Sequence, residues 1–351
     1  MNQSVQQRTA ELWQPLDDQQ VCCDLCAHRC MIAPGKLGRC CVRKNVGGTL
    51  ITLTYGQLQA AAADPIEKKP LYHFLPGSQS FSIATEGCNF RCDFCQNWQL
   101  SQAPFTDKKV GGRYTTPEQI VTAAQTQQCA SIAYTYTEPT IFMEIAAATG
   151  RLARTQGLAN VFVSNGYQTP ESLRFAQPWL DGINIDLKAF NDDFYRQHCK
   201  ARLDAVLKTL HFIAHETDIW LEITTLLIPG ANDSAEDLKA MTDWIVTHVG
   251  PQVPWHISRF HPQYRYDQAG PTPMATLEEA YAIGKAAGLQ YVYLGNVPGK
   301  GYENTHCHQC NRMLIERSGF TIVSNFLQQG GCPDCGTPMA GYGLDRARSN
   351  L

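Results

Sequence analysis

The sequence has few of the features that mark membrane-spanning, secreted or nucleic-acid-binding proteins. No apolar run approaches the roughly 20 residues that a helix needs to cross a bilayer. The segment from Met1 to Gln20 is polar, without the apolar stretch of a signal peptide. The formal net charge of the 351 residues is only −3, so no overall basic field favours nucleic acid. We therefore expect a cytoplasmic protein with neither a membrane nor a nucleic-acid partner.

Cysteine, in contrast, is abundant, with 15 residues in the chain. In a cytoplasmic protein such a number indicates metal binding before disulfides. Most of the cysteines fall within residues 22–41, 88–95 and 307–335, and only Cys129 and Cys199 stand alone. We expect these two to be buried as small apolar side chains.

Strand-like and amphipathic helical runs alternate from residue 80 to about residue 300, which predicts β-α units around a parallel sheet. The predicted strands are Phe81–Thr85, Ser131–Tyr136, Val161–Ser164, Ile183–Leu187, Trp220–Ile228, Trp255–Phe260 and Tyr291–Leu294. The predicted helices are Thr116–Gln127, Ile141–Gln156, Ala201–His215, Ala235–Val249 and Thr276–Ala287, with Ser234 and Thr276 as N-caps. Six or seven units are too few to close an eight-stranded barrel, so we expect an α/β fold built as an open, partial (β/α)6 TIM barrel.

The spacing of Cys88, Cys92 and Cys95 is the most specific signal in the sequence. A C-x3-C-x2-C triplet offers three thiolates to one iron–sulfur cubane and leaves its fourth iron without a protein ligand. An open iron binds a substrate or cofactor, whereas a cluster with four thiolates only transfers electrons. The alternative is a zinc knuckle, against which the spacing, the inserted Phe94 and the preceding strand all argue.

Together with further motifs, this triplet resembles the radical S-adenosylmethionine (SAM) superfamily. The chain is most similar to the radical SAM enzyme of the AmmeMemoRadiSam system, and it also resembles the activating enzymes of glycyl radical enzymes such as pyruvate formate-lyase. The motifs that carry the resemblance are Cys23-x2-Cys26-x3-Cys30-x9-Cys40, Asp64–Leu71, the triplet with Gln96-Asn97-Trp98, Tyr134–Pro139 and Tyr293–Gly299.

The resemblance implies a [4Fe–4S] cluster on Cys88, Cys92 and Cys95 that binds SAM at its open iron. Reductive cleavage of SAM would then give a 5′-deoxyadenosyl radical that abstracts hydrogen. It also implies an electron donor such as flavodoxin or ferredoxin, and protein partners from the other two AmmeMemoRadiSam components.

The resemblance further implies SAM contacts at the ends of the strands. Glu138 occupies the place of the Gly-Gly-Glu motif, whose glycines are Tyr136 and Thr137 here. The other implied SAM contacts are Phe94, Ser164, Asn165, Asp186, Lys188 and His261. The alternatives are a surface charge for Glu138, an ordinary ion pair for Asp186 and Lys188, and packing for Phe94. No catalytic residue is identified, but Tyr136, His256, Arg259 and His261 are candidates to line the pocket.

The two ends of the chain carry further cysteine motifs. Cys307, Cys310, Cys332 and Cys335 form paired C-x2-C knuckles that predict a zinc-ribbon or rubredoxin-like module holding zinc or iron, and we expect this module to fold on zinc by itself. Cys23, Cys26, Cys30 and Cys40 predict a second metal site, for zinc or an auxiliary iron–sulfur cluster, although Cys22 and Cys41 leave the register open.

The sequence therefore predicts a Cys-rich segment over residues 1–77, a radical SAM partial barrel over 78–300 and a four-cysteine module over 301–351. We expect a radical SAM enzyme with an unidentified substrate. A glycyl radical enzyme activase is one alternative, and a non-catalytic metal-binding adaptor or redox relay is another.

Overall fold

The computed structural model describes residues 8–107, 109–297 and 299–346. Pro298 of the Tyr293–Gly299 motif and the first seven residues of the polar N-terminal segment lie outside the described residues. The chain divides into two compact units. The first unit comprises Met1–Ala63, Phe81–Arg91 and Gln96–Leu180, and the second comprises Asp64–Ser80, Cys92–Cys95 and Asp181–Leu351.

The sheet of the first unit places neighbouring strands in the order Ala60–Pro65, Gln79–Ala84, Ser131–Tyr134 and Ala159–Ser164. The last two strands are parallel, with Ser131 opposite Ala159. The α-helices of this unit are Trp98–Ser101, Ala103–Asp107, Pro117–Thr126, Met143–Thr155 and Pro170–Ala176, and 3-10 turns span Asp17–Gln19 and Pro139–Phe142. Short antiparallel strands precede and flank the sheet: Arg8–Thr9, Trp13–Pro15, Val21–Cys23, Met31–Ile32, Arg43–Val46, Thr49–Thr52, Gln57–Leu58 and Arg113–Tyr114.

Local sequence explains how the helices of this unit begin and pack. Thr116 forms a capping box with Gln119 ahead of Pro117, whose missing N–H costs nothing in the first turn. A Cβ atom at Gly150 would lie 2.4 Å from the Trp179 ring, so this glycine lets the helix Met143–Thr155 pack closely against the indole.

The sheet of the second unit is parallel and places neighbouring strands in the order Gly182–Asp186, Trp220–Leu227, Trp255–Arg259 and Val292–Gly295. The longer helices of this unit are Leu203–Glu216, Ala235–His248 and Met274–Ala286. Shorter helical segments are Ile66–Lys68, Asp192–Phe194, the π-helical Tyr195–Cys199 and Leu344–Arg346. The antiparallel strands Thr305–His306, Met313–Ser318 and Thr321–Asn325 complete the unit.

The predicted alternation of strands and helices is confirmed, because every predicted strand and helix is present with its ends shifted by two residues or fewer. Ser234 caps its helix as predicted by accepting a hydrogen bond from the Asp237 N–H. The prediction for Thr276 is wrong: the helix begins at Met274 after an extended Pro273, and Thr276 lies inside it. The described residues contain no helix both long enough and apolar enough to cross a membrane.

Candidate cofactor site

In the first unit, Cys88 follows the strand Gln79–Ala84 and faces backbone and amide donors. Its Sγ lies 3.4 Å from the Phe90 N–H and 3.8 Å from Asn165 Nδ2, which also donates to Asn89 Oδ1 at 2.7 Å. N–H groups that point at a sulfur stabilise thiolate over thiol. The surroundings of Cys88 therefore fit a thiolate bound to a metal.

Glu138 is buried at the carboxyl ends of two strands, the one that precedes Cys88 and the one that ends at Ser164. Its Oε1 accepts from the Thr140 N–H, the Thr140 hydroxyl at 2.5 Å and the Ser164 hydroxyl at 2.9 Å, and its Oε2 accepts from the Asn165 N–H at 2.8 Å. Burial raises the pKa of the Glu138 carboxyl, and these hydrogen bonds act in the opposite direction. Because the Asn165 N–H is the one donor to Oε2 among the described residues, Oε2 can accept a further hydrogen bond from a ligand.

The backbone just before Glu138 is strained at one residue. Tyr136 adopts a left-handed conformation, with φ of 64°. A bulky residue in this conformation is rare and strained. The chain therefore keeps the turn that leads to Glu138 at a cost that glycine would avoid.

The second unit contains Cys92, Cys95 and four of the residues expected to contact SAM, namely Phe94, Asp186, Lys188 and His261. Lys188 Nζ pairs with Asp186 Oδ2 at 2.8 Å and lies 5.9 Å from the centre of the Phe94 ring. Burial opposes the charge on Lys188, but the attraction of Asp186 together with that of Cys92 and Cys199 raises the Lys188 pKa. A hydrogen bond with Cys199 lowers the pKa of the Cys92 thiol despite its burial, and Lys188 lowers it further. Cys92 is therefore favoured as a thiolate, the form that binds iron.

The pocket candidates of the second unit differ in exposure. His256 is only 3% exposed, and its Nε2 lies 2.6 Å from Glu222 Oε2. Glu222 also accepts hydrogen bonds from the backbone N–H groups of Tyr72 and His73. Because His256 pairs with this carboxylate, we expect His256 to stabilise the fold. Arg259 is half-buried and donates to the Thr272 carbonyl at 2.8 Å, whereas His261 is exposed.

The four cysteines of the C-terminal module converge. Cys307 and Cys335 Sγ lie 3.6 Å apart, as do those of Cys310 and Cys332, and all four sulfurs lie within 4.8 Å of one another. A tetrahedral zinc ion with Zn–S bonds of about 2.3 Å would hold its sulfurs about 3.8 Å apart. The spacing of these sulfurs therefore fits one ion.

Sequence reasoning missed two residues of these sites. Cys199 was expected only to be buried, as it is, and nothing in its spacing signals its hydrogen bond with Cys92. Asn89 follows the first cysteine of the triplet, and its backbone carbonyl and side chain accept hydrogen bonds from His28 and Asn165. A polar residue directly after the first cysteine of the triplet was the available signal.

Comparison with known proteins identifies the class. The Radical SAM superfamily matches residues 82–245. An uncharacterised protein of Methanocaldococcus jannaschii is 44% identical over 331 residues, which cover 94% of this chain and 98% of that protein. A second protein of the same organism, provisionally named a glycyl-radical enzyme activating enzyme, is 26% identical over 48% of this chain and 64% of its own length.

The solved structures agree on the fold. A radical SAM methyltransferase from Sphaerobacter thermophilus superposes with a TM-score of 0.50 and 16% identity, over 68% of this chain and 71% of that one. The chain is thus an α/β protein that belongs to the radical SAM superfamily, and it is an enzyme. When bound, the [4Fe–4S] cluster and SAM of this family supply a 5′-deoxyadenosyl radical that abstracts hydrogen from the substrate.

Proposed function

We propose that Cys88, Cys92 and Cys95 hold the [4Fe–4S] cluster of this radical SAM enzyme, in a partial (β/α)6 barrel over residues 78–300. The observation that carries the proposal is the set of N–H donors around Cys88. These donors stabilise the thiolate charge of Cys88. In the second unit, the lowered pKa of Cys92 likewise favours its thiolate. The C-x3-C-x2-C spacing supplies ligands for three irons only, which leaves one iron for SAM.

The SAM contacts are also a proposal, supported by the sequence motifs and by the chemistry of each side chain. Glu138 would accept a hydrogen bond from the SAM ammonium group through the free lone pair of Oε2. Ser164 and Asn165 would hold Glu138 in place, since both donate to its carboxylate. Asp186 would accept the ribose hydroxyls, and Lys188 would pair with the SAM carboxylate.

The remaining SAM contacts are assigned by position. Phe94 would pack against the adenine, because its ring already lies among Phe194 and Tyr266. His261 would approach SAM from a surface position. Tyr136 and Arg259 remain the candidates to contact the substrate.

A second candidate function is the activation of a glycyl radical enzyme, in which hydrogen is abstracted from a protein backbone glycine. The relatives named as activating enzymes favour it. The Klebsiella oxytoca (2S)-3-sulfopropanediol dehydratase activating enzyme is 25% identical over 33% of this chain and 36% of its own length. Each of these alignments covers less than half of this chain, too little to include both the N-terminal and the C-terminal cysteine motifs, so we favour a different substrate.

The wider setting of the enzyme is proposed on the sequence resemblance. We infer that it is the radical SAM component of an AmmeMemoRadiSam system and meets the other two components as protein partners. It would work in the cytoplasm and receive electrons from a flavodoxin or ferredoxin. The C-terminal module, over residues 301–351, would be a zinc ribbon.

The test is anaerobic purification and reconstitution of the full chain, followed by an assay of 5′-deoxyadenosine formed from SAM with dithionite. The variant Cys88→Ala/Cys92→Ala/Cys95→Ala should form none, because each thiolate holds a separate iron. The control Cys129→Ala changes a buried cysteine outside the motifs and should keep the activity. Activity of the triple variant at the wild-type rate would overturn the cluster assignment.

A further inference from the structure

A cavity in the first unit gathers four of the six N-terminal cysteines. Cys23, Cys26, Cys30 and Cys40 line it together with His28 and Arg43. Four thiols that line one cavity offer the ligand set of a metal ion or an iron–sulfur cluster.

The structure separates these cysteines from Cys22 and Cys41, which adjoin them in sequence. Cys22 Sγ lies 3.7 Å from Asp24 Oδ1, and Cys41 Sγ lies 3.9 Å from the Arg39 carbonyl. Neither residue lines the cavity. The register C-x2-C-x3-C-x9-C is thus the one that the fold assembles.

A buried guanidinium reaches one of the four sulfurs. Arg43 Nη1 lies 3.7 Å from Cys23 Sγ and donates to the Glu11 carbonyl at 2.8 Å, while its Nη2 pairs with Glu144. Arg43 is 1% exposed. A fixed positive charge and an N–H donor beside a sulfur stabilise an anionic metal–thiolate centre and raise its reduction potential.

The sulfur spacing indicates what the cavity holds. Among the residues that the structure describes, Cys307, Cys310, Cys332 and Cys335 are the one set of metal-ligating side chains whose ligand atoms all lie within 4.8 Å of one another. The N-terminal sulfurs do not converge in this way, although the four thiols line one cavity. They are therefore not gathered into the tetrahedron of about 3.8 Å edges that zinc requires. Around a cluster the thiolates sit farther apart, because they bind iron atoms at its corners.

We propose that Cys23, Cys26, Cys30 and Cys40 bind an iron–sulfur cluster of four-thiolate ligation, separate from the one on the triplet. The wall of its cavity contacts the loop that carries Cys88. His28 Nε2 lies 2.9 Å from the Asn89 carbonyl, and Arg91 donates to the Arg39 carbonyl at 3.0 Å. The segment that binds the second cluster is thereby hydrogen-bonded to the loop that begins the radical SAM motif.

The test uses the full chain carrying Cys88→Ala, Cys92→Ala and Cys95→Ala, so that the cluster of the triplet is absent. After anaerobic reconstitution, and apart from the single ion of the C-terminal module, it should keep about four irons and four acid-labile sulfides if the cluster is a cubane, or about two of each if it is a two-iron cluster. Mössbauer and EPR spectra of the reduced protein should show that cluster. Adding Cys26→Ser and Cys40→Ser should remove the iron and the sulfide together.

The matched control adds Cys22→Ser and Cys41→Ser instead and should keep both. Circular dichroism checks that each variant is folded. If the Cys26/Cys40 variant unfolds, the single Cys30→Ser variant should stay folded and change the EPR signal, because a serine oxygen replaces one sulfur. Zinc without iron, iron without sulfide, no metal, or equal cluster loss in the control would each overturn the proposal.

Discussion

A single carboxylate, Glu138, is the residue on which the proposed SAM site depends most directly. Its carboxylate accepts hydrogen bonds from the Ser164 hydroxyl and the Asn165 N–H, and Oε2 retains one lone pair that can accept a hydrogen bond from a ligand. We expect Glu138→Gln to weaken SAM binding by about 1–3 kcal/mol, the value of a charge-assisted hydrogen bond. Anaerobic calorimetry on the reconstituted enzyme measures it, with Glu236→Gln as an exposed acidic control. SAM affinity equal to wild type, with the iron content unchanged, would refute this role.

At the scale of residues, the sequence predicts which side chains belong to a site better than it predicts the direction in which a side chain points. Cys307, Cys310, Cys332 and Cys335 were found by spacing, because metal coordination restricts spacing strongly. His256 was expected at a pocket, yet it lies in the core against Glu222. Its strand is buried on both faces, so the apolar–polar alternation that reveals direction is absent.

Among the structural elements, the C-terminal module makes the clearest metal prediction. The double variant Cys310→Ser/Cys335→Ser should lose about one zinc or iron per chain, because two ligands no longer hold a tetrahedral ion. Elemental analysis of the full-length protein measures the loss. His308→Gln, a change inside the first knuckle, should keep the metal, since His308 is not among the converging ligands. Equal metal content in the double variant and wild type would contradict the assignment.

The core of this module is shared with the rest of the second unit, which argues against the expectation that the module folds on zinc by itself. Leu314 and Ile315 pack in one cluster with Tyr72, Tyr291 and Tyr293. The Arg317 guanidinium is buried and donates to the Tyr72 carbonyl at 2.9 Å. An excised module would expose the side chains of Leu314 and Ile315 and the guanidinium of Arg317. Cysteine spacing predicts the metal ligands, but it carries no information about what the apolar face of the module covers.

For the whole molecule, a buried histidine predicts acid sensitivity. His73 Nδ1 donates to the Ala340 carbonyl, and its Nε2 accepts from Tyr293. Burial lowers the pKa of His73 to about 4, against attraction from Glu222 and with repulsion from Arg317 and His256. Between about pH 6.5 and pH 4 the unfolded chain therefore binds a proton that the native chain does not. Stability falls as the pH decreases through this window, by roughly 2 kcal/mol from pH 7 to pH 5 for this group alone.

Urea unfolding at pH 7 and pH 5 measures this contribution. His73→Gln should lose less stability than wild type over that interval, even if it is less stable at both pH values. His211→Gln, an exposed histidine, should behave like wild type. Identical pH dependence in all of these proteins would show that His73 does not titrate as expected.

The sequence predicts the order of the strands and helices well, but it predicts poorly which of them belong to the same compact unit. Alternating periodicities give the β-α units, because each strand and helix must bury its own apolar face. The strand Ala60–Pro65 was missed, since its run of alanines has weak strand propensity. No local signal assigns Asp64–Ser80 to the same unit as Asp181–Leu351, because that grouping depends on contacts far apart in the chain.

This interleaving of distant segments has a consequence for synthesis. Tyr72 and His73 find their partner only when Glu222 has been made, and His73 also waits for Ala340. On the ribosome Tyr72 therefore lacks Glu222, and Phe74 lacks the ring of Tyr342, until most of the chain has been translated. Closing loops of this length before any contact stabilises them makes folding slow. Exposed apolar side chains of this kind make the nascent chain prone to aggregation until their partners have been made.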